Sequence, residues 1–529
     1  MNAFSKSLIA AGVATAITGS AALTLPAQAA SGGTLVVGTT QKPRHLNPAV
    51  QSGVATAIPG TQIFASPLRF DENWKPQPYL AESWKVSDDG KTVTLNLRKN
   101  AKFHDGKPVT SADVAFSIAT VKANHPFKTM FAPVDSVDTP DAHTVVINLA
   151  NPHPAILLSL SPALLPVLPK HVYDDGQDAK SHPRNSKNPI GSGPFKLVEF
   201  KPGQHVILEK NPDYFLEGKP YLDKVIIKNY KDAASLVLAT DKGAVNMTPF
   251  ISGVRDIARL KKNGNLVVTN KGYGGVGPVN WLAFNHKHEI LAKKEVRQAI
   301  SYAIDRKFVT KVLHAGQSTR ATGPIHNDSP FYNPNVNKYD LDLDKANALL
   351  DAAGYKKGAN GERFSLTIDY IPGIGEMGKG LAEYIRSALK KVGIKIVVRA
   401  APDFPTWAKR VGGHKFELSM DILFNWGDPV IGVHRTYISS NIRPGVIWSN
   451  TQSYTNKKVD DILSQAGKEM DPAKRNALYK TFQEIVTDEL PVAYINLLPY
   501  HTAYQKTLQN PPLTIWGAMS PMDSIKLAK

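Results

Sequence analysis

The chain has no cysteine. That absence removes disulfides, thiolate metal ligands and thiol nucleophiles together. It also removes the acylated cysteine of a lipoprotein, which favours a Gram-negative periplasm over a Gram-positive surface anchor for an exported form. Long basic runs are missing as well. Lys and Arg number 63 against 45 Asp and Glu, for a formal net charge of +18, yet no five basic residues are consecutive. Nucleic-acid binders concentrate basic charge on one element and interleave aromatics, so no nucleic-acid partner is expected. The excess reads as a solvated surface that anionic lipid headgroups would attract.

Long apolar runs are scarce beyond the first thirty residues. The best candidate, "PAILLSLSPALLPVLP" at 154–169, contains four prolines and falls short of the ~20 residues a spanning helix needs. Motifs that carry chemistry are equally few. "GYGGVG" at 272–277 matches G-x-G-x-x-G, but Pro278 and a β-rich run follow it. A dinucleotide site needs a helix N-terminus there, so a loop is expected. "HKHEILA" has no second histidine at the zincin spacing, and neither a P-loop nor a G-x-S-x-G elbow is present. No catalytic residue, metal ligand or cofactor is expected.

One short stretch still invites a catalytic reading. "NAKFHDGKPVTSADVAFSI", residues 100–118, sets His104 beside Asp105 before a glycine. Asp105-Gly106 closes a turn, and Thr110 with Asp113 makes a capping box, with Val109 and Val114 as its hydrophobic staple. The pair therefore reads as a turn leading into a helix.

What is present begins with an export signal. Lys6 is followed by an apolar run from Leu8 to about Leu25 and by Ala27-Gln28-Ala29. That is the charged, apolar and small-residue pattern of a secretory signal peptide, spanning 1–29. The whole chain is 42% hydrophobic and 20% charged, an ordinary globular composition long enough for two or three lobes. "WKVSDDGKTVTLNL" predicts a hairpin about Asp89-Gly90. "KVIIKNY", "NLVVTN" and "VNWLAFN" predict strands. "KKEVRQAISYAIDRKFVTKVLHAG" predicts a single helix stopping at Gly316. Residues 343–353 predict a helix capped by Asp342 and ended by Gly354. Strand, helix and strand over 364–400 predict a parallel pair with a right-handed crossover. "ELSMDILFNW" predicts a further strand and residues 473–490 a long late helix. The fold class is α/β in more than one lobe.

Several stretches together resemble one family. They are "LAESWKVSDDGKTVTLNLRKNAKFHDGKPVTSADVAFS" (80–117), "NPIGSGPFKLVEF" (188–200), "NPDYFLEGKPYLDKVIIK" (211–228), "VRQAISYAIDR" (296–306) and "ANALLDAAGY" (346–355). In order and spacing the chain resembles the family 5 extracytoplasmic solute-binding proteins of ABC importers, the peptide and nickel type. The resemblance implies a periplasmic-binding-protein type II-like fold, with two lobes closing on a cleft and an extra lobe beside the first. Lobe I would take 30–71, 191–283 and 508–529, the extra lobe 72–190, and lobe III 284–507. It further implies a monomer that delivers its ligand to an ABC permease at the inner membrane. A peptide or peptide-like amine is the leading ligand class. The alternatives are an opine, a sugar conjugate or a chelated metal and, from a different class, a secreted hydrolase using a dispersed catalytic pair.

In open α/β lobes, ligands lie beyond the carboxyl ends of strands. The strand ending in "FNWGDP" therefore nominates Phe424, Asn425, Trp426 and Asp428 as ligand-binding, with Phe424 and Trp426 on one face. A strand-end tryptophan also serves as core, and an aspartate before Pro429 also serves as a plain turn. Peptide-binding members of the resembled family carry two acids after this tryptophan, and this chain has only Asp428. Either Asp428 receives the ligand's ammonium or no residue does, which would disfavour peptides. Arg435 is nominated for a ligand carboxylate by bidentate pairing, with a surface role equally open.

Overall fold

The computed structural model describes residues 32–372 and 375–528. The expected signal segment lies outside the described residues. Three sheets organise the remainder. The first has seven strands in the order Leu266–Thr269, His501–Gln505, Met247–Ile251, Thr34–Thr39, Lys224–Asn229, His205–Lys210 and Phe195–Lys201. Its central strand, Thr34–Thr39, runs parallel to both neighbours. Leu35 and Val37, on one face of this strand, are fully buried.

The second sheet has six strands in the order Thr319–Arg320, Val492–Leu497, Pro278–Phe284, Leu418–Phe424, Phe364–Tyr370 and Ile394–Arg399. Phe364–Tyr370 and Ile394–Arg399 are parallel, joined through the helix Gly375–Lys390, so the predicted β-α-β unit forms. The third sheet is antiparallel, in the order Ala81–Val86, Thr92–Leu97, Thr144–Leu149 and Val134–Asp141. Its first hairpin turns at Asp89-Gly90, where Gly90 takes the positive φ of 67° that a side chain would resist.

The His104 stretch is scaffold. The Thr110 amide donates to Asp113 Oδ2 at 2.8 Å, opening the helix Ser111–Asn124. His104 Nε2 bonds the Gly193 carbonyl at 3.1 Å, and its Nδ1 accepts from the Gly191 amide at 3.3 Å. Burial pushes its pKa down to about 4, so the ring is a neutral pin between two segments. Asp105 pairs with His171 at 2.7 Å.

Two expectations need correction. The 293–316 segment is not one helix. Lys294–Tyr302 ends, and Asp305 caps a new start by accepting from the Lys307 and Phe308 amides at 2.8 and 3.0 Å. An aspartate that competes for backbone amides ends one helix and opens another. The lobe boundaries also move. Pro278–Phe284, expected in lobe I up to residue 283, pairs with Leu418–Phe424 of the second sheet. His501–Gln505, expected in lobe III, pairs with Met247–Ile251 of the first. The two chain crossings between these lobes therefore lie at 270–277 and 498–500, beside each other, with the Leu498 amide donating to the Pro278 carbonyl at 3.2 Å. The "GYGGVG" loop is the first crossing. One hydrophobic core runs through lobe I and the extra lobe, and a second fills lobe III.

Candidate functional site: the wall between the lobes

The loop after Leu418–Phe424 leaves lobe III and enters the other core. Trp426 and Gly427 both take positive φ, 50° and 82°, which turns the chain sharply and strains the tryptophan backbone. A side chain at Gly427 would press on Leu158 Cδ2 at 2.6 Å, so the turn is tight against the extra lobe. Trp426 is 3% exposed and Ile431 is fully buried, both within the core of lobe I and the extra lobe. Ring centroids lie 5.2 Å from Trp426 to Phe127 of the extra lobe and 6.2 Å to Trp516 of lobe I. The row continues from Trp426 to Phe424 at 6.0 Å, to Tyr500 in the second crossing at 6.5 Å, and to Phe250 at 5.3 Å. Aromatic rings thus line the lobe boundary from the extra lobe to the hinge. Nearby, a cavity of about 460 Å³ opens between Val254, Arg255 and Asp256 of lobe I and His314, Met377 and Leu381 of lobe III.

The nominated residues fare differently. Trp426 and Phe424 are in the row. Asp428 is buried, and Arg475 from the helix Pro472–Glu489 clamps it with both terminal nitrogens, at 2.8 and 2.7 Å. Its Oδ1 also caps the short helix Pro429–Gly432 through the Val430 amide at 2.9 Å. Burial would raise its pKa, but the Arg475 guanidinium and these hydrogen bonds hold it below the ordinary carboxylate value. Asp428 already has its cation and its cap, so the expected role of receiving a ligand's ammonium is not carried forward. Asn425 is also committed: its Oδ1 accepts from the His326 amide at 2.7 Å and its Nδ2 donates to the Pro324 carbonyl at 3.1 Å. It fastens a loop within lobe III.

Arg435 stays at the boundary. Its guanidinium lies 4.7 Å from the centre of the Phe127 ring, Nε donates to the Gly432 carbonyl at 3.1 Å, and Nη1 to the Trp448 carbonyl at 2.9 Å. The sequence reading missed Asp421, which sits within Leu418–Phe424 and is 5% exposed. Its Oδ1 accepts from the Ile422 amide at 2.7 Å and from Trp448 Nε1 at 3.4 Å. Burial pushes its pKa up to about 7, against the pull of Arg435. The signal was legible: an acid between Met420 and Ile422 in an apolar strand is a buried polar group that needs a reason.

The sequence and the overall fold match known proteins. Residues 75–444 match the family described as "Bacterial extracellular solute-binding proteins, family 5 Middle". The chain belongs to this family. The resemblance read from the sequence, to the solute-binding proteins of ABC importers, therefore holds. Heme-binding protein A of Haemophilus influenzae is 28% identical over 92% of this chain and 91% of the relative. The structure of the oligopeptide-binding protein AppA of Bacillus subtilis with a nonapeptide superimposes with a TM-score of 0.82. It is 25% identical and covers 95% of this chain and all of that one. NikZ of Campylobacter jejuni, in complex with Ni(L-His), gives a TM-score of 0.80 at 26% identity, over 92% of this chain and 97% of the other. Among the described residues of this family member, no helix is long and apolar enough to cross a membrane.

Proposed function

We propose that this chain is the periplasmic, monomeric carrier of an ABC importer. It is exported by a signal cleaved after Ala29, closes its two lobes on a small organic solute, and hands that solute unchanged to an inner-membrane permease. The observation that carries this reading is the aromatic row from Phe127 through Trp426, Phe424 and Tyr500 to Phe250, drawn from all three lobes and ending at the hinge. Such a wall covers the apolar body of a ligand, and closure gains its energy from contacts made in the closed state alone. Peptides or peptide-like amines remain the leading class, supported by relatives named for oligopeptides and glutathione.

The test is mass recovery. Protein taken from the periplasm should begin at Ala30, and denaturation after incubation with a metabolite pool should release a ligand identical to one supplied. Turnover of that ligand to products would overturn the carrier reading in favour of a hydrolase.

A further inference from the structure

Five aspartates are buried among the described residues: Asp113, Asp369, Asp421, Asp428 and Asp523. Four have both carboxylate oxygens occupied. Asp428 is clamped by Arg475, Asp369 by Arg399 at 3.1 and 2.6 Å, and Asp523 by Arg69 at 3.2 and 2.6 Å. Asp113 takes the Thr110 amide on one oxygen and the Lys170 amide on the other, each at 2.8 Å. Asp421 differs. Its Oδ1 is bonded, while Oδ2 has no protein donor among the described residues.

Arg435 is the complement. Nε and Nη1 donate to carbonyls, and Nη2 has no acceptor among the described residues. The two groups share Trp448, which donates from its indole to Asp421 and accepts at its carbonyl from Arg435. Each feels the other's charge, yet no ion pair closes between them. Neither Asp421 Oδ2 nor Arg435 Nη2 is among the buried side-chain atoms that lack a partner, so both free edges are open to a third group that carries the opposite charge to each.

We propose that Asp421 and Arg435 form a charged subsite that holds the ammonium and the carboxylate of an amino acid or short peptide. The ammonium would donate to Asp421 Oδ2, and the carboxylate would accept from the Nη2 edge of Arg435. Phe127, over which Arg435 lies, and the Phe404–Trp448 pair, 5.9 Å apart, supply apolar cover. This inference rests on the solute-binding reading and names its ligand chemistry. It also relocates the charge recognition that Asp428 does not supply.

The experiment is calorimetric titration of the full mature chain with phenylalanine, alanyl-phenylalanine and trialanine. Each probe is used free, N-acetylated and C-amidated. At least one free probe should bind, at least tenfold more tightly than its N-acetyl form and its amide. Asp421→Asn should erase the preference over the N-acetyl form, and Arg435→Gln the preference over the amide. The comparison of derivatives on the unaltered protein needs no variant, so a variant that fails to fold does not blunt it. Equal binding of free and blocked probes, or no binding of any free probe, overturns the subsite. If the ligand recovered by mass spectrometry lacks an ammonium or a carboxylate, the subsite fails while the carrier reading stands.

Discussion

Asp421 and Asp428 stand on one strand and the loop that leaves it, and the protein treats their charges in opposite ways. Asp428 is held ionised by Arg475, so its folded pKa lies below the unfolded value. Its contribution to stability is present above about pH 4 and lost as pH falls through the folded pKa. Breaking a buried pair from one side leaves an uncompensated charge, at a cost of about 3–5 kcal/mol. Asp428→Asn should therefore lower the melting temperature of the ligand-free protein by several degrees. An unchanged melting temperature would mean that the Arg475 clamp contributes nothing to stability. Asp421 runs the other way. Its folded pKa is raised to about 7 by burial, so the folded state binds the proton more tightly than the unfolded chain. Stability is then lost as pH rises from about 4 to about 7. Asp421→Asn should gain on the unaltered protein over that interval and hold a constant lead above it. Denaturant midpoints at pH 4.5 and pH 8 check this, and parallel profiles would remove Asp421 as an ionising group.

At the scale of elements, what could be read from sequence was what local chemistry decides. The Asp89-Gly90 hairpin, the Thr110–Asp113 cap and the Asp342 helix start each rest on residues a few positions apart. The strand–helix–strand unit over 364–399 follows from periodicity alone. The missed break at Asp305 was also local, but hydrophobic spacing continued through it and concealed the cap. The site was legible only in part. Trp426 and Phe424 were nominated by the rule that ligands meet strand ends, and the structure sets both in the aromatic row. The commitment of Asp428 was invisible, because Arg475 reaches it from a helix distant in sequence. The aromatic row was equally hidden, since Phe127, Phe250 and Tyr500 come from separate elements that only the fold assembles. The lobe boundaries were misplaced for a related reason: Pro278–Phe284 and His501–Gln505 read as strands, but sequence does not say which sheet each joins.

For the whole molecule, the two adjacent crossings make lobe III a body that can swing against the rest, and Trp426 reaches from it into the other core. Trp426 belongs by chain to lobe III and by packing to the core of lobe I and the extra lobe. Opening must draw it from between Phe127 and Trp516 and return its apolar surface to water. Full exposure of a large apolar side chain costs about 2–3 kcal/mol. The tryptophan therefore biases the ligand-free protein towards closure, and a ligand adds only the contacts that closure completes. Trp426→Ala removes that bias. At about 2 kcal/mol the closed-to-open ratio should fall roughly thirtyfold, and apparent affinity should weaken as the competent state becomes rarer. Small-angle scattering reads the shift directly. Without ligand, Trp426→Ala should show a larger radius of gyration than the unaltered protein. Saturating ligand should bring the two together, because both then occupy the closed form. If the ligand-free radii coincide while affinity falls, Trp426 acts on the ligand alone and not on the swing of the lobes.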